Sequence, residues 1–221
     1  MLGLAAPFLP SLAVAAPHAG PVPKPENEMT PDAAFERLVA GNQRFVQGVA
    51  KRYNLVSQRL DLASAQNPYA AILCCADSRV APEYAFDSAL GDLFVVRVAG
   101  NFANDDGLAS FEYAVSMLNT PVLMVLGHEG CGAVAAAMEH VNTGTEFPGH
   151  IPSLTKALAP SVKKSSGQAG DAQLNAIRQV VRDTVQALSQ RSAILDAAVK
   201  ENRLKIVGGV YRLGSGEVEP V

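Results

Sequence analysis

The chain contains no tryptophan, only three cysteines and four histidines among its 221 residues, and few aromatic side chains of any kind. It has no cluster of Lys and Arg larger than the pairs Lys51-Arg52 and Lys163-Lys164, and its net charge is -3. A nucleic-acid partner is therefore not expected. Beyond the first twenty residues no apolar run approaches the roughly eighteen needed to cross a bilayer, so no membrane span is expected either. No internal repeat and no mid-chain linker interrupt the sequence. At 48% hydrophobic, a chain of this length can bury the core of one α/β domain.

The amino-terminal region has a different composition. Met1 to Ala16 carries no charge and is rich in Leu, Ala, Val and Phe, and Ala13-Val14-Ala15 has the small-x-small form of a signal cleavage site. A periplasmic or secreted protein is the natural expectation. The basic part of such a signal is missing, since the first Lys or Arg is Lys24. The alternative is a cytoplasmic protein with an apolar arm that packs on a neighbouring subunit. Residues 17 to 31 include five prolines and read as an irregular linker, so residues 1–29 are assigned to export signal and linker and 30–221 to the folded domain.

What the chain does possess is concentrated in two short motifs. Cys75-Ala76-Asp77-Ser78-Arg79 follows the apolar run 70 to 75, which reads as a strand buried on both faces. His128-Glu129-Gly130-Cys131 follows a second such run, 121 to 126, and leads into a stretch of good helix formers. Both motifs fall at carboxyl ends of strands, where open α/β sheets place their ligand sites. Two thiolates and one imidazole make a three-ligand zinc set with a fourth position left for water, the catalytic rather than the structural arrangement. If the chain stays extended, Cys75, Asp77 and Arg79 share one face and Cys74 points the other way, into the core. Arg79 then holds Asp77 ionised beside the metal. A single disulfide with one free thiol is the competing use of three cysteines, and the spacing of His128 and Cys131 favours metal over it.

These motifs resemble the β-class carbonic anhydrases, over roughly residues 30 to 212. The similarity also takes in the helix around Ala34-Phe-Glu-Arg-Leu-Val-Ala-Gly-Asn-Gln-Arg-Phe45, the segment Gly91-Asp-Leu-Phe94-Val-Val-Arg97-Val-Ala-Gly100-Asn101, and Ile206-Val-Gly-Gly-Val-Tyr211. The resemblance implies an α/β fold with a mostly parallel central sheet flanked by helices. It implies reversible hydration of carbon dioxide to bicarbonate and a proton by a zinc-bound hydroxide, with one Zn2+ per subunit held by Cys75, His128 and Cys131. Asp77 and Arg79 would form the dyad that orients or releases the metal-bound water, and Asp77 would be the fourth ligand in a closed state. Gln66, Phe94, Tyr113 and Gly132 would contact substrate, and the molecule would be a homodimer or homotetramer. Some relatives have a tryptophan three residues before the first ligand, part of a regulatory bicarbonate site; Ile72 stands there in this chain. Two other functions stay open at this point: hydrolysis of carbon disulfide or carbonyl sulfide on the same fold, and a catalytically silent zinc-binding protein.

The rest of the chain supplies the frame. Residues 30 to 47 and 104 to 118 are expected as amphipathic helices, the second crossing between strands 93 to 98 and 121 to 126. A short helix is expected at 151 to 159, a loop at 161 to 170, and helix from 174 to 200 with a break near Ser192. Residues 204 to 211 complete the sheet. His18, His140 and His150 read as solvated or packing histidines, Arg97 as the partner of a carboxylate with a substrate contact as the alternative, and Phe94 and Tyr113 equally well as core aromatics.

Overall fold

The computed structural model describes residues 23–221. The strands β1 (Ala70–Cys74) and β3 (Val122–His128) are buried at every position. Each has a strand on both edges and helices on both faces, which is why their sequences run apolar without alternating polar residues. Between them in the chain lie α3 (Pro82–Ala85), β2 (Leu93–Arg97) and α4 (Asp105–Met117); before them lie α1 (Pro31–Val46) and α2 (Leu55–Asp61). After β3 come α5 (Gly132–Thr143), α6 (Ile151–Ser165), α7 (Ala172–Arg191) and α8 (Ala193–Lys200), then β4 (Lys205–Tyr211) and β5 (Val218–Pro220). The sheet order is β2-β1-β3-β4-β5, parallel through β4 and antiparallel only at β5.

The period of two along β1 divides the core. Ala71, Leu73 and Cys75 join Phe111, Val134, Leu158 and Ile177 on the face covered by the later helices. Ala70, Ile72 and Cys74 join Ala34, Leu38 and Phe86 on the face covered by α1 and α3. Cys74 therefore faces away from Cys75, as the alternation requires. On that second face α1 comes close because Gly41 has no side chain: a Cβ there would stand 2.0 Å from the Phe86 carbonyl oxygen.

Local signals fix the helix ends. Thr30 accepts from the Ala33 amide and is followed by Pro31, and Asn104 accepts from the Gly107 amide. The expected break near Ser192 is a change of helix: its backbone is extended (φ -124°, ψ 112°) and its hydroxyl caps α8 by accepting from Leu195 N. One expectation fails. The helix starting at Ile151 does not stop near 159 but runs through Pro160 to Ser165, which removes half of the expected loop. Pro160 costs one backbone hydrogen bond, yet Leu158 and Val162 are buried on either side of it, and Ser161 and Lys164 both donate to Asp183 of α7 (2.8 and 2.6 Å). Packing of α6 on α7 overrides the local break.

The signal-like stretch and His18 lie outside the described residues. The last part of the proline-rich segment is tied down: Lys24 and Arg37 both pair with the buried Asp92, and Asn27 donates to Asn67 O and to Asp92.

Candidate metal centre

The strand order reverses between β1 and β3. The chain leaves β1 towards β2, then crosses back over β1 to β3, so a crevice opens beyond the carboxyl ends of these two neighbours. Their register pairs Cys74 with Leu126, which brings the residues just after each strand side by side. Cys75 is the first residue past β1, His128 the last of β3, and Cys131 the N-cap of α5. Gly130 makes the intervening turn at φ 64°, a conformation that costs glycine nothing. The three ligand atoms lie within 4.8 Å of one another, all on buried residues, and the two sulfurs are 3.9 Å apart.

His128 is oriented for metal binding. Its Nδ1 is 2.9 Å from the Glu129 carbonyl oxygen; a carbonyl only accepts, so Nδ1 carries the proton and Nε2 keeps its lone pair. That Nε2 is buried and has no hydrogen-bond partner among the described residues, an orphan that a cation facing Cys75 and Cys131 would satisfy. The sulfurs give a second sign of fit. The contact with Cys131, together with the Gly100 amide at 3.4 Å, brings the Cys75 thiol below its usual value. The same contact, with burial, pushes Cys131 up. Two thiolates this close repel each other, and a divalent cation between them lets both ionise. Two sulfurs and one imidazole nitrogen suit zinc. On the opposite face burial pushes Cys74 up to about 12, so it remains a neutral thiol.

Asp77 and Arg79 stand beside this cluster, though not by the extended geometry expected. The strand ends at Cys74, and the chain turns at 77–80, where the Val80 amide donates to Asp77 O (3.1 Å). The turn, rather than a shared strand face, brings Arg79 back onto its partner: Nε donates to Asp77 Oδ1 (2.9 Å), Nη2 to Oδ2 (2.7 Å), and the Arg79 amide to Oδ1 (2.9 Å). This fork holds the Asp77 carboxyl well below the usual carboxylate range. Oδ2 is also 3.9 Å from His128 Nε2, so the charged acid borders the ligand cluster while engaged with Arg79.

The remaining candidates are spread more widely. Gly132 is the first residue of α5, exposed, with open space where a Cβ would be. Phe94 pairs in register with Ala71, four residues before Cys75 and so about 13 Å back along the strand. Its ring faces Tyr113 at 6.5 Å between centroids, and Tyr113 is exposed. Gln66 is exposed on the segment entering β1. Within one chain these three do not join the Cys/His cluster. Among the described residues Arg97 pairs with no carboxylate, contrary to expectation. It donates to the backbone oxygens of Cys75 (3.2 Å), Asp77 (2.8 Å) and Val80 (2.9 Å). Gln173 of α7 plays a similar part on the other side, donating to Cys131 O (3.1 Å). Nothing in the local sequence marks either of these roles, because the acceptors are main-chain atoms distant in sequence.

A family model described as carbonic anhydrase matches residues 70–218. Carbonic anhydrase 2 of Mycobacterium tuberculosis is 42% identical over 188 residues, 84% of this chain and 90% of that protein. A carbonic anhydrase of Mycolicibacterium smegmatis is 38% identical over 191 residues, 86% and 92% of the two chains. Among solved structures, the β-carbonic anhydrase CcaA superposes with a TM-score of 0.64 at 29% identity, over 83% of this chain and 93% of its own. The chain belongs to the β-class carbonic anhydrases. Both metal motifs lie inside the matched residues, and the parallel sheet with helices on both faces is the fold of this class. Among the described residues no helix of this carbonic anhydrase is long and apolar enough to cross a membrane.

Proposed function

We propose that this carbonic anhydrase hydrates carbon dioxide reversibly to bicarbonate and a proton on a zinc ion, one per chain, held by Cys75, His128 and Cys131. The observation that carries the reading is the convergence of these three buried ligand atoms within 4.8 Å, beside a carboxylate kept ionised by its own arginine. Zinc bound there supplies the Lewis acidity that turns water into a nucleophile near neutral pH. The protein's own groups do the rest. Asp77, charged and immobilised by Arg79, accepts a hydrogen bond from water at the centre and fixes which way its lone pairs point. The first amides of α5, Gly132 among them, have no partner within the helix and offer donors to bicarbonate oxygens. Gln66, Phe94 and Tyr113 remain candidate substrate contacts; their distance from the cluster within one chain supports a pocket completed by a second copy, in a homodimer or homotetramer. Exposed apolar side chains on α1 and α2, Val39, Val46, Leu55, Val56 and Leu60, support such an assembly.

An ionised dyad has no evident use beside a purely structural metal, which favours catalysis over a silent zinc protein. Metal content measured with stopped-flow carbon dioxide hydration tests the proposal. The expected result is about one zinc per chain, turnover that vanishes on chelation and returns with zinc, and Cys75→Ser that binds little metal. Full zinc without hydration would overturn it, and sulfide release from carbon disulfide by such a protein would point to the sulfur-substrate alternative. Export to the periplasm is proposed on the signal-like first sixteen residues alone, and cell fractionation tests it.

A further inference from the structure

The backbone between Cys75 and Val80 has left the sheet, and its carbonyl groups have lost their ladder partners. The last main-chain bond from the β2 side to this segment is Val98 N to Cys74 O (3.0 Å). From there a side chain takes over. Arg97 stands opposite Cys74 in the register, and its guanidinium donates to the oxygens of Cys75, Asp77 and Val80. These three acceptors bracket the first metal ligand, the dyad acid and the closing residue of the turn. Two residues further along from Val98, the Gly100 amide donates to the Cys75 sulfur itself. The end of β2 therefore grips both the ligand and the loop that carries Asp77.

We propose that Arg97 is a positioning residue for this carbonic anhydrase: its fork extends the β1–β2 pairing past the end of the strand and sets the turn on which Cys75 and Asp77 are presented. The planar guanidinium reaches three carbonyls with two nitrogens; a lysine ammonium carries the same charge but lacks the fork. Burial does not explain the residue, since Arg97 is exposed, and among the described residues no carboxylate neutralises it. The inference rests on the zinc reading above, in that its readouts presuppose a metal held by Cys75.

The test compares zinc-loaded wild type with Arg97→Gln, Arg97→Lys and Arg97→Ala, and with Arg203→Gln as an exposed arginine remote from the centre. Zinc release to a chromogenic chelator, carbon dioxide hydration and thermal melting are measured on each. Outer-shell changes at metal sites typically cost about 10–100-fold in affinity or activity. The expected result is zinc release at least about tenfold faster and kcat at least about tenfold lower in Arg97→Gln and Arg97→Lys alike, with melting close to wild type and Arg203→Gln unchanged. Guanidinium at millimolar concentration, but not methylammonium, should restore part of the activity of Arg97→Ala. Full activity in Arg97→Lys would overturn the proposal, because charge alone would then suffice. Zinc release and kcat within about twofold of wild type in Arg97→Gln would also overturn it, as would effects that merely follow a lowered melting temperature. Should Arg97→Ala not fold, Arg97→Lys decides by the same criteria. A wild type without zinc or turnover would instead refute the functional reading, so the two failures are distinguishable.

Discussion

Replacing Asp77 by Asn separates what the dyad does for the reaction from what it does for the fold. In the native arrangement Oδ1 accepts from the Arg79 amide and Nε, and Oδ2 accepts from Nη2. The Asn amide can keep the first two bonds through its oxygen, but its NH2 then meets Nη2 donor to donor. The fork opens on one side. Arg79 is 54% exposed in its side chain, so water takes up the released donor and the fold loses little; exposed pairs contribute marginally to stability. The melting temperature should stay within about 3 °C of wild type. The chemistry has no such substitute, because a neutral amide that has lost half its clamp neither orients water at the centre nor carries charge beside it. Positioned proton acceptors contribute about 10²–10⁴-fold; since part of the clamp survives, a hydration rate about 10²- to 10³-fold lower is expected at unchanged zinc content. Stopped-flow hydration with a pH indicator, elemental analysis and calorimetry on one preparation decide the matter. A rate within about threefold of wild type would refute the reasoning, as would a melting temperature lowered by more than about 10 °C.

Removing zinc should expose the thiols: with sulfurs 3.9 Å apart, Cys75 and Cys131 should form a disulfide in the apo protein under mild oxidant while Cys74, on the other face, stays reduced. Mass mapping checks this, and a Cys74–Cys75 bond would contradict the assigned faces. Activity should rise as pH goes above neutral, because two thiolates offset the charge of the metal and acidify water less than three imidazoles do. Asp77 cannot supply that rise. Its folded carboxyl lies below the unfolded value of about 3.9, so its contribution to stability is complete above that pH and is lost only as pH falls further, through the folded value. A rate flat between about pH 6 and 9 would contradict the charge argument. Gly41→Ala should destabilise by about 1–3 kcal/mol in urea titration, since the clash with the Phe86 carbonyl outweighs the ~1 kcal/mol gained in helix propensity. An unchanged or higher midpoint would mean that α1 can shift away from α3 without loss.

The Cys75, His128 and Cys131 cluster was legible in the sequence because each half of it is local. Cys75 and the His128–Cys131 pair each directly follow an apolar run too uniform to be anything but a buried strand, and the strand-end position is a consequence of that pattern. The Asp77/Arg79 contact was legible as a pairing but not as a geometry, since an Asx-type turn and an extended strand both bring residues two apart into reach. The full length of α6 is not legible because the Lys, Ser and Gly of 161–170 read as a loop, and the burial of Leu158 and Val162 is not a local signal. Tertiary structure alone decided that β1 and β3 are neighbours, with their ends in register. It alone decided that Arg97 spends its guanidinium on three main-chain oxygens, and that Phe94 and Tyr113 pair with each other. Side-chain chemistry and periodicity are written residue by residue; which strand lies beside which depends on how the α4 crossover carries the chain back over β1, and main-chain acceptors leave no mark in sequence.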